Sequence, residues 1–339
     1  MPKKLLNWGI LGAAKIARSL ALALRDSKLA CPYAVASRTL AKAEAFAREF
    51  GFQKSCERYQ TLLDDPMIDV IYNPLPNHLH CAWTIRALKA GKHVLCEKPL
   101  AKNAAECRRM IEVARGNNRL LMEAFMYRVH PQTLKIQELL HERRIGEVRV
   151  IRAGFGFTLD ENSGNVRLET KMGGGCLMDV GCYCVNAIRT FFGEEPLLVL
   201  GHAERGRRTK VDMNFAGTLV FSEGRLGIFN SSFQTVLDRG LEIIGTRGRI
   251  LVSSPWKPDG QFTSFILEVE GHAKVVEIRN GGAIYHNEVD HFSRCVLANK
   301  PSPIRPEDGW RNMIVIDALK RSAQSGKQVK ITERDQDKR

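Results

Sequence analysis

The sequence predicts an α/β N-terminal domain built on a parallel sheet, followed by an α+β C-terminal domain with an open, mostly antiparallel sheet. Two observations predict it. Through the first third of the chain, short apolar runs alternate with segments of helical period, the pattern of strands joined by crossover helices. From about Val148 the texture becomes β-rich and helical patterns grow sparse. The boundary is expected near residue 125, giving the α/β domain over 1–125 and the α+β domain over 126–339. With 339 residues, 44% hydrophobic and 26% charged, the chain has room for two domains and a sizeable core.

The elements follow in order. Leu5–Leu11 reads as the first strand, and 14–24 as a helix whose Ile16, Leu20 and Leu24 share one side. A second strand covers Tyr33–Ala36, and Thr39 is placed to cap a helix with Leu40, Ala43, Phe46, Ala47 and Phe50 at helical spacing. Val70–Asn73 is a strand ending in Pro74-Leu75-Pro76. A helix over His80–Ala90 stops at Gly91, a suitable C′ residue. Strand Val94–Cys96 follows, then a helix opened by Asn103 with Glu106 three residues on. Strands are then expected at 148–157, 197–203, 217–221, 226–233 and 265–269, with Glu223-Gly224 offering a hairpin turn. Helices are expected at 181–192, 288–298 and 307–325, and the charged tail 333–339 should fray.

Bulk properties exclude several classes. The formal net charge is +14, but the basic residues are scattered and no nucleic-acid motif accompanies them, so no nucleic-acid partner is expected. An anionic coenzyme, an anionic substrate or simple solubility explains the excess at least as well. The nine cysteines are odd in number and lack C-x-x-C spacing, which argues for packing rather than a disulfide framework and for a reducing, cytoplasmic setting. The cluster Cys176, Cys182 and Cys184 lacks paired-knuckle spacing, so no metal is expected. Lys3-Lys4 before an apolar run mimics a leader, but Asn7, Gly9, Lys15 and Arg18 interrupt it; no run is long enough to span a membrane.

Three places carry chemistry. Gly12-Ala13-Ala14-Lys15-Ile16-Ala17 lies where the first strand turns into the first helix, a degenerate dinucleotide fingerprint. Gly12 takes the tight turn, Ala14 and the following Lys15 and Ile16 the diphosphate approach, and Ala17 the helix–sheet packing position. The second strand ends in Ser37-Arg38-Thr39, with Lys42 one turn on. Where an acidic residue would accept from the ribose hydroxyls of NAD, a hydroxyl and a guanidinium stand instead, chemistry suited to the 2′-phosphate of NADP. NADP is therefore the expected coenzyme, with NAD the alternative. Finally, Glu97-Lys98-Pro99 ends a buried strand, at the edge where open α/β sheets place their ligands, and an ammonium there suits proton chemistry.

These segments, with Asn73-Pro74-Leu75-Pro76-Asn77-His78-Leu79-His80, Arg128-Val129-His130-Pro131-Gln132 and the run from Gly173 to Tyr183, run in order over most of the chain. Together they resemble the Gfo/Idh/MocA family of oxidoreductases. The resemblance implies a Rossmann domain, a C-terminal open-faced sheet that pairs subunits into dimers or tetramers, and hydride transfer between a nicotinamide and a sugar-like carbon. It makes Lys98 the active-site lysine and matches Asp179 to the aspartate of a G-G-G-x-x-x-D segment. It implies coenzyme contacts at Pro74, Leu75, Asn77, His80, Glu97 and Lys98, and substrate contacts at Lys98, Arg128, His130, Asp179 and Tyr183.

Tyr183 stands where many members carry histidine. That is similar to the branch holding glucose–fructose oxidoreductase, dihydrodiol dehydrogenase, NADP xylose dehydrogenase and deoxysugar 3-ketoreductase. Arg167 lies in a segment similar to one that approaches the coenzyme or sugar, and Tyr285 is a further substrate-site candidate. Asp179 and Tyr183 are four apart, so a helix would turn both the same way. A free tyrosine has a pKa of about 10; a nearby ammonium would favour its phenolate and make it a usable base. The expected activity is oxidation of an aldose at C1. The alternatives are keto-sugar or sugar-nucleotide reduction and trans-dihydrodiol oxidation. A dinucleotide sensor without catalysis is the competing class.

Overall fold

The computed structural model describes residues 5–258, 260–280 and 282–332; Lys3, Lys4 and the charged tail 333–339 lie outside them. The first strands and helices run β1 (Leu6–Leu11), α1 (Lys15–Asp26), β2 (Ala30–Ala36), α2 (Leu40–Phe50), β3 (Lys54–Cys56) and α3 (Tyr59–Asp64). They continue β4 (Val70–Asn73), α4 (Asn77–Lys89), β5 (His93–Glu97), α5 (Ala104–Gly116) and β6 (Leu121–Ala124). Next come α6 (Pro131–His141), β7 (Val148–Gly156) and α7 (Cys182–Phe192), then β8 (Leu198–Arg205), β9 (Asp212–Val220) and β10 (Leu226–Ser232). The chain closes with β11 (Asp238–Gly245), β12 (Gly248–Val252), β13 (Phe262–Val269), β14 (His272–Arg279), α8 (Ile284–Leu297), α9 (Pro306–Ser325) and β15 (Val329–Lys330).

Two compact units divide the chain: 1–129 with 282–310, and 130–281 with 311–339. The boundary expected at 125 thus shifts by a few residues, and 282–310 returns to the first unit. The cause is tertiary. Helix α8 sets Phe292 edge-on to Trp8 of β1, with ring centroids 6.0 Å apart, and its Asp290 accepts from the Ser27 hydroxyl at 2.6 Å. No local pattern announces such contacts between positions so far apart in the sequence.

In the first unit β1–β6 form one parallel sheet in the order β3-β2-β1-β4-β5-β6. Strand order reverses between β1 and β4, which opens the crevice where doubly wound sheets bind ligands. The central strands are largely apolar because helices cover both faces, and Ile10, Leu11, Val35, Ile71, Val94 and Leu95 have no exposed surface. Asn103 caps α5 as expected, its Oδ1 accepting from the Glu106 N–H at 2.9 Å, while the Glu106 carboxylate accepts from the Lys102 N–H at 3.2 Å. Thr39 stands at the N-cap of α2, but its side chain makes no cap bond.

The second unit holds a nine-stranded sheet in the order β14-β13-β12-β11-β7-β10-β9-β8-β15, antiparallel except for the pair β7–β10. The β9–β10 hairpin turns at Glu223 and Gly224, both with positive φ. Helix α7 lies so close on β10 that a Cβ at Gly227 would come within 2.4 Å of Ile188 Cγ2. Sequence periodicity missed β3, β6, β11, β12, β14 and β15, which are short or alternate weakly.

Burial in the first unit makes one prediction. Glu288 of α8 is 1% exposed, and neither of its carboxyl oxygens has a hydrogen-bond partner among the described residues. Burial, with the charge of Glu97, pushes its pKa well above the ordinary 4.5. A raised carboxyl pKa stabilises fully below the unfolded value and less as pH rises towards the folded one. Relative to Glu288→Gln, the wild type should lose roughly 1.4 kcal/mol of stability per pH unit across that window. Thermal melts of both proteins at pH 5 and pH 8 check this; equal gaps at the two pH values would refute it.

Candidate active site

In the first unit the site begins at the end of β1. Gly12 has φ +100°, a conformation that suits glycine, and its N–H donates to the Ala36 carbonyl at 2.7 Å, tying the turn to β2. A Cβ there would stand 3.3 Å from Leu75 and 3.6 Å from the Tyr59 hydroxyl, so these two side chains border the turn. Helix α1 then starts at Ala14 with no side-chain cap and no acidic residue in its first turn. Its N–H groups and positive dipole end are left to an anion, and Lys15 is exposed beside them. That arrangement fits a dinucleotide diphosphate.

At the end of β2, Ser37 is buried and donates its N–H to the Cys56 carbonyl at 3.0 Å, whereas Arg38 and Lys42 are exposed. Tyr59 faces Arg38 closely enough for the guanidinium to pull its pKa down, although burial wins and raises it. Tyr59 also sits edge-on to Trp83, with centroids 5.0 Å apart. This aromatic pair escaped the sequence reading because neither residue lies in a motif; only the fold brings them beside Gly12 and Arg38.

The turns after β4 and β5 are braced from inside. His80 has no exposed surface; Nδ1 lies 2.9 Å from the Pro99 carbonyl and Nε2 2.6 Å from the Leu75 carbonyl. Burial pushes the ring down to about 4, against the pull of the two carbonyls. His80 therefore links the Pro74-Leu75-Pro76 turn to the Lys98-Pro99 turn, a role internal to the fold rather than a surface offered to coenzyme. Asn77, by contrast, opens α4 with part of its surface exposed.

Two buried carboxylates complete the brace. Glu97 accepts from the Tyr72 hydroxyl at 2.5 Å and from the Lys98 N–H at 3.3 Å. Glu123 accepts from the Leu100 N–H at 2.7 Å. Lys98, partly exposed, is thus carried on backbone held from three sides. Arg128 pairs with Asp308 at 2.7 Å, and Tyr285 is 6% exposed on the buried side of α8.

In the second unit, the glycine run folds back on residues 165–169. The Gly175 N–H donates to the Arg167 carbonyl at 2.9 Å, and a Cβ on Gly174 would lie 2.3 Å from that oxygen. The close approach sets Arg167 beside Asp179, with Nε to Oδ2 at 2.7 Å. Asp179 belongs to a π-turn, Leu177–Gly181, that leads into α7, not to the regular helix its spacing suggested. Tyr183, in the first turn of α7, packs edge-on to Phe155 at 5.5 Å and tilted to Trp256 at 5.9 Å. His130 caps α6: its Nδ1 accepts from the Gln132 N–H at 3.1 Å, burial pushes its pKa down to about 4, and Nε2 therefore carries the proton. Among the described residues, no cluster of three or more His, Cys, Asp or Glu is placed to hold a metal ion.

Comparison with known proteins agrees with this architecture. Residues 6–125 match the oxidoreductase family with an NAD-binding Rossmann fold, and residues 133–251 match the GFO/IDH/MocA C-terminal domain. The chain is 34% identical over 325 residues to D-xylose 1-dehydrogenase (NADP(+)) 2 of Haloferax volcanii, covering 96% of this chain and 99% of that protein. A 3-ketoreductase from Actinomadura kijaniata, solved with NADP and TDP-benzene, superposes with a TM-score of 0.89 at 30% identity, covering 94% of this chain and 98% of the other. The aldose-aldose oxidoreductase of Caulobacter crescentus, solved with glycerol, superposes with a TM-score of 0.90 at 27% identity over 97% and 100% of the two chains. With a glycine turn and uncapped helix ready for a dinucleotide, a braced lysine after β5 and both domains matched, the chain belongs to the Gfo/Idh/MocA oxidoreductases.

Proposed function

We propose that the protein is an NADP-preferring oxidoreductase that moves hydride between the nicotinamide and a CH–OH or C=O carbon of a sugar or polyol, oxidising an aldose at C1. The observation that carries this reading is Lys98, partly exposed at the carboxyl end of β5 on a backbone braced by His80, Glu97 and Glu123. The nicotinamide, when bound, supplies or takes the hydride. The protein's own task is then the proton: a hydroxyl that becomes a carbonyl must lose one, and the reverse reaction must gain one. Tyr183 is proposed to exchange that proton and Lys98 to hold the reacting oxygen. Asp179, oriented by Arg167, would accept a hydrogen bond from a second hydroxyl. The xylose dehydrogenase named above supports the aldose substrate.

Coenzyme choice is assigned to Arg38. It is exposed, no carboxylate stands at the end of β2, and a guanidinium holds a phosphate by charge-assisted hydrogen bonds. Arg38→Ala should raise the NADPH Kd about 30-fold, equivalent to about 2 kcal/mol, and leave the NADH Kd nearly unchanged. Fluorescence titration of both nucleotides checks this; tighter NADH binding by the wild type would refute the NADP preference. The decisive assay for the reaction is an NADP(H)-coupled screen of aldoses, inositols and keto-sugars. Reduction of a nucleotide-linked keto-sugar is the second reading, favoured by the +14 charge and by the ketoreductase solved with TDP-benzene.

A homodimer or homotetramer is proposed through the nine-stranded sheet. Paired outward residues Leu200, Thr218, Ile228, Arg152, Glu242, Leu251, Ile266 and Val275 form one row across eight strands. Four of its apolar members are 40–64% exposed. A cytoplasmic setting is supported by the nine cysteines, odd in number and without C-x-x-C spacing. No helix of the described residues is long and apolar enough to cross a membrane.

A further inference from the structure

The turn that carries Asp179 is held by a residue outside every motif of the sequence. Residues Leu177–Gly181 form a π-turn, a local widening frequent at functional sites, and its N-cap Cys176 supplies no side-chain cap. The cap comes from another element. Asp212, half-buried at the start of β9, accepts the Leu177 N–H on Oδ2 at 2.7 Å, and the Cys176 thiol donates to the same oxygen at 3.3 Å.

The backbone before the turn is shaped around that carboxylate. Gly175 has φ +110°, and a Cβ there would stand 2.1 Å from Asp212 Oδ1, so a side chain at 175 would push the carboxylate away. From α9, Lys320 Nζ reaches the Met178 sulfur at 3.1 Å, on the same turn. Burial raises the Asp212 carboxyl and lowers the Lys320 ammonium, as for two groups held close to the protein interior. An acceptor at the first amide of this segment fixes where the helix begins, and hence which way the residues of its first two turns point. Those turns hold Asp179 and Tyr183.

We propose that Asp212 is a positioning residue of this enzyme: by binding the Leu177 amide and the Cys176 thiol it fixes the π-turn and, through it, the orientation of Asp179 and Tyr183. The proposal rests on the functional reading of those two side chains, and it also has a consequence that needs no activity. A displacement of about 1 Å in an orienting group is enough to slow a reaction about a hundredfold.

The test compares full-length wild type with Asp212→Ala and Asp212→Asn by amide hydrogen exchange over 177–183, coenzyme Kd, and kcat and KM. Asparagine keeps an acceptor oxygen at that place, so its exchange should match wild type and its kcat should stay within about threefold. Alanine should speed exchange of the Leu177–Gly181 amides about tenfold or more and lower kcat about ten- to hundredfold, with coenzyme Kd within about twofold. Wild-type exchange and turnover in Asp212→Ala would overturn the proposal, as would a merely structural result, in which both variants melt earlier but the folded enzyme keeps its kcat. If Asp212→Ala does not fold, Asp212→Asn decides, because a loss of kcat beyond about tenfold there would make the charge, not the bond, the operative feature. If wild type turns over no sugar with either coenzyme, the functional reading fails, while the exchange data still judge the hold of Asp212 on the turn.

Discussion

Tyr183→Phe should lower kcat about a hundred- to ten-thousandfold, the span a positioned general acid or base contributes, while leaving coenzyme Kd within about twofold. The substitution isolates the hydroxyl. The ring is 5% exposed and packed against Phe155 and Trp256, and phenylalanine fills the same space with the same edge-on contact. Removing a hydroxyl from a buried side chain costs about 1 kcal/mol, so the fold should survive with a modest drop in melting temperature. A fall in kcat and kcat/KM together would mark an interaction made in the transition state; a rise in KM alone would reduce Tyr183 to a binding contact. Full activity in the variant would end its role as the proton-transfer group.

Much of the first unit was legible because its physics is local. Strands covered on both faces are apolar without alternation, helices between them repeat at 3.6, and turns carry Gly12, Gly91 and Asn103, each doing the backbone work its residue type suits. The second unit was read as β-rich, but several of its strands were missed, since a sheet with an open face tolerates weak alternation: β14 is largely exposed along its length.

Sequence motifs single out candidate site residues, but spacing alone does not assign their roles. His80 stood out in sequence beside Pro74 and Asn77, yet it is a brace inside the fold; nothing in one-dimensional spacing separates a histidine that faces a ligand from one that ties two turns together. Asp212 and Glu288 were invisible for the opposite reason. An aspartate opening a strand and a glutamate on a helix both read as solvated until distant segments close over them. The same blindness moved the domain boundary, since it is distant contacts, Phe292 on Trp8 and Ser27 to Asp290, that show α8 belongs with the first sheet.

Replacing Lys98 by methionine should cost nearly as much as the tyrosine change, with kcat/KM falling about a hundredfold or more. Methionine keeps the length and apolar stem of lysine and removes the charge, so it separates the ammonium from the packing of its stem. The neighbours that hold the backbone remain: Glu97 on the Lys98 N–H, Glu123 on the Leu100 N–H, and His80 against the Pro99 carbonyl. With that frame intact the variant should fold, and coenzyme binding, proposed to rest on the α1 N-terminus and Arg38, should weaken by less than about tenfold. Arginine restores charge but not shape, because a planar, wider and rigid guanidinium cannot occupy the place of a compact ammonium, so Lys98→Arg should recover little activity. Recovery to near wild type by arginine would show that a positive field at this place suffices. Retention of activity in Lys98→Met, with Tyr183→Phe inactive, would leave the tyrosine as the proton carrier without help from the lysine.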